Sequence, residues 1–149
     1  MMPSESKDAR PKRRASSARV APHVKNLRGV KNWKEAASWL EYRGIEDIEC
    51  ITPDQAGVAR GKMMPSSKFT SNTSLALPSA PFMMTISGDY PEDGNGFEYP
   101  EDDGDLKLVP DLSTLCRVPW EEDQTAQVIC DLVHQDGRLV EFTPRNVLR

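Results

Sequence analysis

Histidine and cysteine are scarce in this 149-residue chain, and their positions exclude several kinds of site. One histidine, His23, lies in a polar tail and the other, His134, lies beside a turn, so no His-pair metal site is predicted. The cysteine count is odd, and Cys50, Cys116 and Cys130 each lie in an apolar, strand-like run without metal-ligand spacing. A disulfide framework is therefore not predicted. We expect the three cysteines to be reduced and buried, as small apolar side chains of a protein in the cytoplasm.

Long apolar runs and several catalytic motifs are also missing. No stretch of about 18 apolar residues occurs, so no membrane span is predicted, and the N-terminus lacks the apolar core of a secretory signal. There is no Gly-rich phosphate loop, and nothing in the sequence holds Cys130 near a base. His134 has no polar partner and is interpreted as a turn residue facing solvent rather than as a catalyst. The residues alone therefore predict no metal or cofactor site in this chain.

Charge is distributed unevenly. Residues 1–34 carry ten Lys/Arg and two Asp/Glu, whereas the remainder is strongly acidic within a net charge of −4. Residues 1–28 are rich in Ser, Pro, Ala, Lys and Arg without an apolar period, which predicts a disordered basic leader. The tribasic step at 12–14 could contact nucleic acid, but interleaved aromatics are absent and a solvated tail is the favoured interpretation. An organelle transit peptide is a further alternative.

The stretch Ile48–Met64 predicts a β-hairpin around which the other elements are organised. Its residues alternate in polarity on both sides of a five-residue connection at Pro53–Gly57. On the returning strand, Arg60 and Lys62 are two residues apart and must leave the same face. They could bind a substrate carboxylate or phosphate, or they could be solubilising charges on an exposed strand. Gly61 between them indicates that another backbone or a ring comes close.

One helix is predicted before the hairpin. Asn32 with Glu35 forms a capping-box-like start, and Gly44 is suited to the residue that ends the helix. The predicted apolar face consists of Trp33, Ala36, Ala37 and Leu40. Such a face could be a groove for a partner, but it is more typical of core packing.

Further elements follow the hairpin and indicate an α+β domain. Strands are predicted at Pro81–Ile86, Leu106–Val109, Ser113–Val118, Ala126–Val133 and Arg138–Phe142. The near-continuous apolar run at Ala126–Val133 favours a central position. Short helices are predicted to begin at Ser66 and, with Thr143 as N-cap, at Pro144. Between the strands, residues 87–105 form a long loop, which carries eight acids and no base from Asp89 to Asp105.

Several short tags occur in a fixed order between Trp39 and Arg149. The tags are Asp54–Lys62, Gly88–Tyr90, Gly104–Asp111, Ser113-Thr114, Pro119-Trp120, Ala126–Asp131 and Pro144–Leu148. Each tag alone is weak, but the ordered set is specific. Through them the region resembles the N-terminal β-grasp domain of the glutamine synthetase family. It most resembles the branch that joins glutamate to amines and polyamines, the γ-glutamylpolyamine synthetase-like proteins.

That resemblance implies a fold and an activity. The fold is a β-grasp-like mixed sheet of five or six strands with one covering helix over residues 29–142, and residues 143–149 would begin a linker helix to an absent catalytic domain. The activity is ATP-dependent ligation, in which an amine attacks phosphorylated glutamate, with ATP and Mg or Mn bound by the catalytic domain. The implied partners are glutamate, an amine or polyamine, and full-length homologous subunits in a ring homo-oligomer. In that ring the N-terminal domain closes a neighbouring subunit's active site.

The chain departs from the resemblance at one place. Ammonia-using members carry Asp-Gly-Ser-Ser where this sequence has Thr85–Tyr90, which favours a larger amine acceptor. Because carboxylates attract a chain of positive charges, Asp89 and Asp105 are candidate residues on the acceptor side. A flexible solvated loop is the alternative. A different class of function is also open, a stand-alone interaction module that docks on full-length subunits without catalysis.

Overall fold

The computed structural model describes residues 25–71, 75–90 and 104–148. Within these ranges the chain has the predicted α+β architecture, with a sheet as its main element. The helices are α1 (Trp33–Arg43), α2 (Ser66–Thr70) and α3 (Pro144–Val147). The strands are β1 (Asp47–Pro53), β2 (Ala59–Pro65), β3 (Leu75–Pro78), β4 (Asp105–Pro110), β5 (Cys116–Arg117) and β6 (Thr125–Val133).

The sheet is mixed, and β6 lies at its centre. The strand order is β2-β1-β6-β4-β3, and β5 pairs with β6 on the side that β4 also occupies. β1 and β6 are parallel, whereas the other neighbours are antiparallel. The predicted hairpin is present, with Ile48 opposite Met64 and Thr52 opposite Arg60. The apolar composition of β6 fits its position, since both of its edges and one whole face are covered.

Helix α1 begins and ends where the capping pattern predicts. Asn32 Oδ1 accepts a hydrogen bond from the Glu35 backbone N–H at 3.0 Å, and Glu35 Oε2 accepts one from the Lys31 N–H at 2.9 Å. Gly44 ends the helix at φ +64°, a conformation that disfavours residues with a side chain. Both ends are therefore fixed by local hydrogen bonds.

The face of α1 that packs on the sheet differs slightly from the prediction. Ala36 and Leu40 are buried and Trp33 is partly buried against the same core, as predicted. The prediction was wrong for Ala37, which is exposed. Trp39 is fully buried instead, because its large ring is part of the hydrophobic core.

The prediction of a strand at Pro81–Ile86 was wrong. A 3₁₀ turn occupies Ala80–Met83, and the strand is the preceding segment β3. Pro81 lies in the first turn of this 3₁₀ segment, where its missing N–H costs no ladder hydrogen bond. Phe82 is nevertheless buried at 1% exposure, so the apolar content of the segment serves the core without a strand.

Two other predicted strands are shorter than expected. In Ser113–Val118 only β5 is a strand, because a 3₁₀ turn at Leu112–Thr114 interrupts the pairing with β6. There the Thr114 hydroxyl accepts the hydrogen bond of the Ile129 N–H at 2.8 Å. Arg138–Phe142 forms one isolated bridge, between Leu139 and Val133, rather than a strand.

The predicted leader lies mostly outside the described residues. Of its last four residues, which are described, Asn26 and Arg28 contact the domain. The Asn26 carbonyl accepts hydrogen bonds from Trp39 Nε1 at 2.9 Å and from Arg43 at 2.7 Å, and Arg28 bridges to Cys116. In the part of the chain that the structure describes, no helix has the length and apolar character needed to cross a bilayer.

Candidate functional site

The turn between β1 and β2 is built on Asp54, which is 1% exposed. Asp54 Oδ1 accepts hydrogen bonds from the backbone N–H groups of Ala56 and Val58, at 2.9 and 2.8 Å. The other oxygen, Oδ2, accepts one from Arg60 Nε at 2.9 Å. Gly57, at φ +80°, adopts the left-handed conformation that the turn requires. Asp54 therefore anchors the hairpin, and its carboxylate is fully used within the chain.

The two predicted basic residues leave the same face of β2. In the register, Arg60 lies opposite Thr52 and Lys62 lies opposite Cys50, on the face that also carries the core. Because β2 is an edge strand, Lys62 still extends into solvent. The Arg60 side chain is 25% exposed, and beyond its bond to Asp54 its terminal nitrogens make no hydrogen bond within the described residues. Both side chains can thus present N–H donors at this edge.

Gly61 permits a close approach of two backbones. A β-carbon at this position would lie 2.0 Å from the Cys50 carbonyl oxygen and 2.9 Å from Ile51 Cα. The sequence predicted that another backbone or a ring comes close to Gly61. The structure shows that this is the backbone of β1. The tight spacing fixes how Arg60 and Lys62 are presented.

Asp89 is exposed at the end of a closed turn. Its backbone N–H donates to Thr85 Oγ1 at 3.2 Å, and the Thr85 N–H donates to the Asp89 carbonyl at 2.8 Å. Ser87 Oγ donates to Asp89 Oδ2 at 2.9 Å, so the carboxylate is oriented by its own turn. Two apolar side chains on the same turn, Ile86 and Tyr90, are 77% and 49% exposed.

Asp105 begins β4 and borders an open cleft of about 420 Å³. His134, Asp136 and Arg138 line the same cleft. His134 closes the turn after β6, as predicted, because its N–H donates to the Arg138 carbonyl at 2.8 Å. Gln135 Nε2 donates to the Asp105 carbonyl at 2.7 Å, which ties the strand to this turn and leaves the carboxylate at the surface.

The structure keeps the predicted basic pair apart from Asp105. β1 and β6 separate β2 from β4, so the basic pair is three strand spacings, about 14 Å, from the strand of Asp105. The hairpin turn and Asp105 nevertheless lie at the same end of the sheet, because β1 and β6 are parallel and β4 runs back along β6. The six acids between residues 92 and 103 lie outside the described residues.

One charged cluster was missed by the sequence analysis. Arg145 of α3 donates through Nε to Asp131 Oδ1 at 2.5 Å and through Nη2 to Asp111 Oδ2. The backbone N–H and hydroxyl of Ser113 both donate to Asp111 Oδ1. Asp131 was the available signal, since a lone acid within the most apolar strand needs a partner. An open cleft of about 520 Å³, bordered by Lys31, Asp111 and Asp131, lies beside the cluster.

The ionisation of this cluster is set by competing effects. Burial alone would raise the pKa of Asp111, but hydrogen bonds from Ser113 and Arg145 hold that pKa below its ordinary value. Burial disfavours the charged guanidinium, yet hydrogen bonds to Asp131 and Asp111 hold the pKa of Arg145 above its usual range. Arg145 is therefore a permanent cation held between acids.

The buried cysteines are unsuited to chemistry. Cys50 and Cys130 are free thiols with no exposed surface. The hydrogen bond with the Cys50 thiol, together with burial, raises the pKa of Cys130. No group of three or more His, Cys, Asp or Glu residues in the described ranges is arranged to hold a metal ion.

Comparison with curated proteins identifies relatives of this domain. No protein-family model matches the chain. The chain is 35% identical over 119 residues to a glutamate–isopropylamine ligase from a Pseudomonas species, a match that covers 74% of the chain and 25% of the relative. It is 42% identical over 50 residues to the glutamine synthetase of Methanococcus voltae, which covers 32% of the chain and 11% of that enzyme. The chain is an N-terminal domain of the glutamine synthetase family.

Solved structures share the fold. The apo form of GmaS matches 75% of the chain and 24% of its own length, with a TM-score of 0.58 at 23% identity. The cryo-EM structure of Plasmodium falciparum glutamine synthetase matches 80% of the chain and 22% of its own length, with a TM-score of 0.59 at 13% identity. The chain therefore spans about a quarter or less of the glutamine synthetase family proteins it matches.

Proposed function

We propose that this chain is the N-terminal part of an ATP-dependent ligase that joins glutamate to an amine. The observation that carries the proposal is the 35% identity over 119 residues with a glutamate–isopropylamine ligase. The likeness to GmaS supports the fold on which it depends. Within the family, the proposal favours an alkylamine or polyamine acceptor, as in the γ-glutamylpolyamine synthetase-like branch, over ammonia.

The proposal divides the chemistry between two domains. We assign ATP and Mg or Mn to a catalytic domain, as the family resemblance implies, and no step of the proposal passes through them. This domain would form one wall of a composite site that a neighbouring subunit's catalytic domain completes in a ring homo-oligomer. Its own contribution would be to bind and orient substrate charge from the hairpin end of the sheet.

On the acceptor side, Asp89 and Asp105 are the proposed amine-binding residues. Both carboxylates are exposed, and both can therefore attract a cation from solvent. The Ser87 hydrogen bond orients the Asp89 carboxylate, and exposed Ile86 on the same turn offers an apolar surface to an N-alkyl group. Asp105 borders a cleft of about 420 Å³, enough for several methylene units. This pairing of carboxylate and apolar surface suits an alkylamine better than ammonium.

On the glutamate side, Arg60 and Lys62 are the proposed anion-binding residues. Arg60 is held by Asp54 through Nε, which keeps the guanidinium fixed while its terminal nitrogens can still donate. Lys62 extends from the same face as a mobile point charge. Together they suit a carboxylate or phosphate that approaches the edge of β2.

The function is tested by reconstitution. The 149-residue chain is assayed for ADP release with glutamate and an amine, alone and in a chimera in which residues 29–142 replace the corresponding part of a glutamate–isopropylamine ligase. We expect no turnover by the chain alone and amine-dependent turnover by the chimera. Turnover by the chain alone would contradict the division of chemistry. If the chain co-migrates with full-length subunits in size-exclusion chromatography and the chimera is inactive, the non-catalytic docking module replaces the proposal.

The acceptor residues are tested in the same chimera. We expect Asp89→Asn and Asp105→Asn together to raise the KM for the amine about tenfold or more, a loss of about 1.4 kcal/mol, with little change in the KM for glutamate. The matched control is Asp123→Asn, an exposed acid at the opposite end of β6. An unchanged KM for both alkylamine and polyamine would remove Asp89 and Asp105 from the site.

The basic edge has its own test. Lys62→Gln should raise the KM for glutamate several-fold without altering stability, because the side chain is exposed and holds nothing in the described structure. The control is Lys68→Gln, an exposed lysine on α2. If the two variants had the same KM for glutamate, Lys62 would be a solubilising charge on an edge strand rather than a substrate-binding residue.

A further inference from the structure

Helix α3 has little apolar burial. None of its four residues is buried, and Val147 and Leu148 are 69% and 87% exposed. A helix of this length has too few internal hydrogen bonds to persist by itself. Contacts outside the helix must therefore hold it in place.

The side-chain hydrogen bonds between α3 and the rest of the domain come from two adjacent residues. Arg145 donates to Asp131 of β6 and to Asp111, which follows β4. Asn146 Nδ2 donates to the Val140 carbonyl at 2.8 Å and to the Leu132 carbonyl at 3.2 Å. Side-chain hydrogen bonds thus connect the helix to the central strand β6 and to the residue that follows β4.

The guanidinium contributes most to this attachment because it bridges two elements. The side chains of Arg145, Asp111 and Asp131 are 21%, 25% and 11% exposed, so the charges are sheltered from solvent but not sealed from it. Ser113 holds Asp111 in place from the opposite side, through its backbone N–H and its hydroxyl. Without Arg145 the two acids would repel each other beside the helix.

We propose that Arg145 is a clasp that docks α3 on the sheet and sets the direction of the C-terminal segment. Its guanidinium joins three segments that are distant in sequence, and no residue of α3 is fully buried. Loss of the clasp is expected to release residues 144–148 while the sheet stays folded. This inference concerns the fold and does not depend on the proposed ligase function.

Amide hydrogen exchange of the 149-residue chain tests the clasp. The reporting amides are those of Asn146, Val147 and Leu148, whose hydrogen bonds go to the Thr143 and Pro144 carbonyls. In Arg145→Gln we expect these amides to exchange about tenfold faster or more, while the amides of β6 keep their protection. The matched control is Arg138→Gln, because Arg138 forms an exposed pair with Asp136 in the adjacent turn. That control should leave α3 unchanged.

A second variant separates the clasp from general destabilisation. Asp111→Asn keeps Oδ1 as an acceptor for Ser113 but removes the charge that faces Arg145. It should release α3 partially, by a smaller factor than Arg145→Gln. Unchanged exchange of α3 in Arg145→Gln would overturn the proposal, and so would equal loss of protection in α3 and β6. Unchanged exchange would show that the hydrogen bonds of Asn146 are enough to hold α3. Equal loss of protection would show that Arg145 stabilises the whole domain rather than α3 alone.

Discussion

At the residue scale, Gly61 occupies a position where a side chain has no space. A β-carbon there would lie 2.0 Å from the Cys50 carbonyl oxygen, which is backbone and cannot rotate away. We expect Gly61→Ala to lower the free energy of unfolding by about 1–3 kcal/mol, since β1 and β2 must separate to admit the methyl group. Urea denaturation measures the change, with Ala59→Ser on the exposed part of β2 as control. Wild-type stability of Gly61→Ala would show that the hairpin spacing can relax.

Asp54 is a second position where one atom group supports a whole turn. Its carboxylate accepts from two backbone N–H groups and from Arg60 while having no exposed side-chain surface. Removing it in Asp54→Ala leaves these donors unpaired, and we expect a cost of about 2–3 kcal/mol, reduced because Arg60 is partly exposed. Asp136→Ala, which removes an exposed carboxylate bonded to Arg138 Nε and to the Arg138 backbone N–H, is the control and should lower stability much less. If Asp54→Ala and the unchanged chain had the same midpoint of thermal unfolding, Asp54 would not anchor the hairpin.

At the scale of elements, the sequence predicted best where neighbouring residues determine the structure. The two ends of α1 depend on Asn32 and Gly44, whose capping contacts lie within four residues. The hairpin depends on alternation and a turn, and Arg60 and Lys62 share a face for the same reason. These features were predictable because their physical causes are local.

The elements that the sequence did not predict depend on distant partners. Phe82 can be buried by a strand or by a 3₁₀ turn, so the apolar content of Pro81–Ile86 does not distinguish them. The 3₁₀ turn before β5 interrupts the strand pairing with β6. The Thr114 hydroxyl there accepts the hydrogen bond of the Ile129 N–H, which a backbone carbonyl would otherwise accept. The Arg145 cluster likewise joins three segments separated by more than a dozen residues. No local pattern encodes such pairings.

The attachment of α3 to the sheet should weaken at low pH. Because hydrogen bonds from Ser113 and Arg145 outweigh burial, the pKa of Asp111 is lower in the folded chain than in the unfolded one. Its contribution is therefore present above the unfolded value, about 3.9, and is lost as the pH falls through the lower folded value. The backbone N–H resonance of Ser113, which donates to Asp111 Oδ1, should stay constant from pH 7 to about 4 and shift below it. A shift centred near pH 6 would indicate that another group controls the contact.

At the scale of the whole molecule, the parallel pair β1 and β6 gives the sheet two distinct ends. The turn of the hairpin, the start of β4 and the Asp131–Arg145 contact all lie toward the carboxyl ends of this pair. Basic residues occupy one edge of that end and Asp105 lies on the other side of β6. The fold therefore places Arg60, Lys62 and Asp105 around one end of the sheet, without bringing the basic pair into contact with Asp105.

The same central pair makes two cysteines reporters of global unfolding. Cys50 of β1 and Cys130 of β6 are fully buried, whereas Cys116 of β5 is partly exposed. A thiol reagent reaches the first two only when the central strands separate, which is unfolding of the domain. We expect Cys116 to be modified first and the other two together, about 1,000-fold more slowly or beyond. Dilute urea should accelerate only the slow pair.

A matched variant and mass spectrometry make the thiol measurement decisive. Cys116→Ser removes the fast reaction and leaves two slow thiols, whose rates should follow the global unfolding free energy measured by circular dichroism. The contact with Cys50 and burial raise the pKa of Cys130 in the folded domain, so little thiolate forms there until the central strands separate. Modification of Cys50 before Cys130 at a separate rate would mean that β1 and β2 open as a unit while β6 stays in place. The parallel pair would then not be the cooperative centre of the domain.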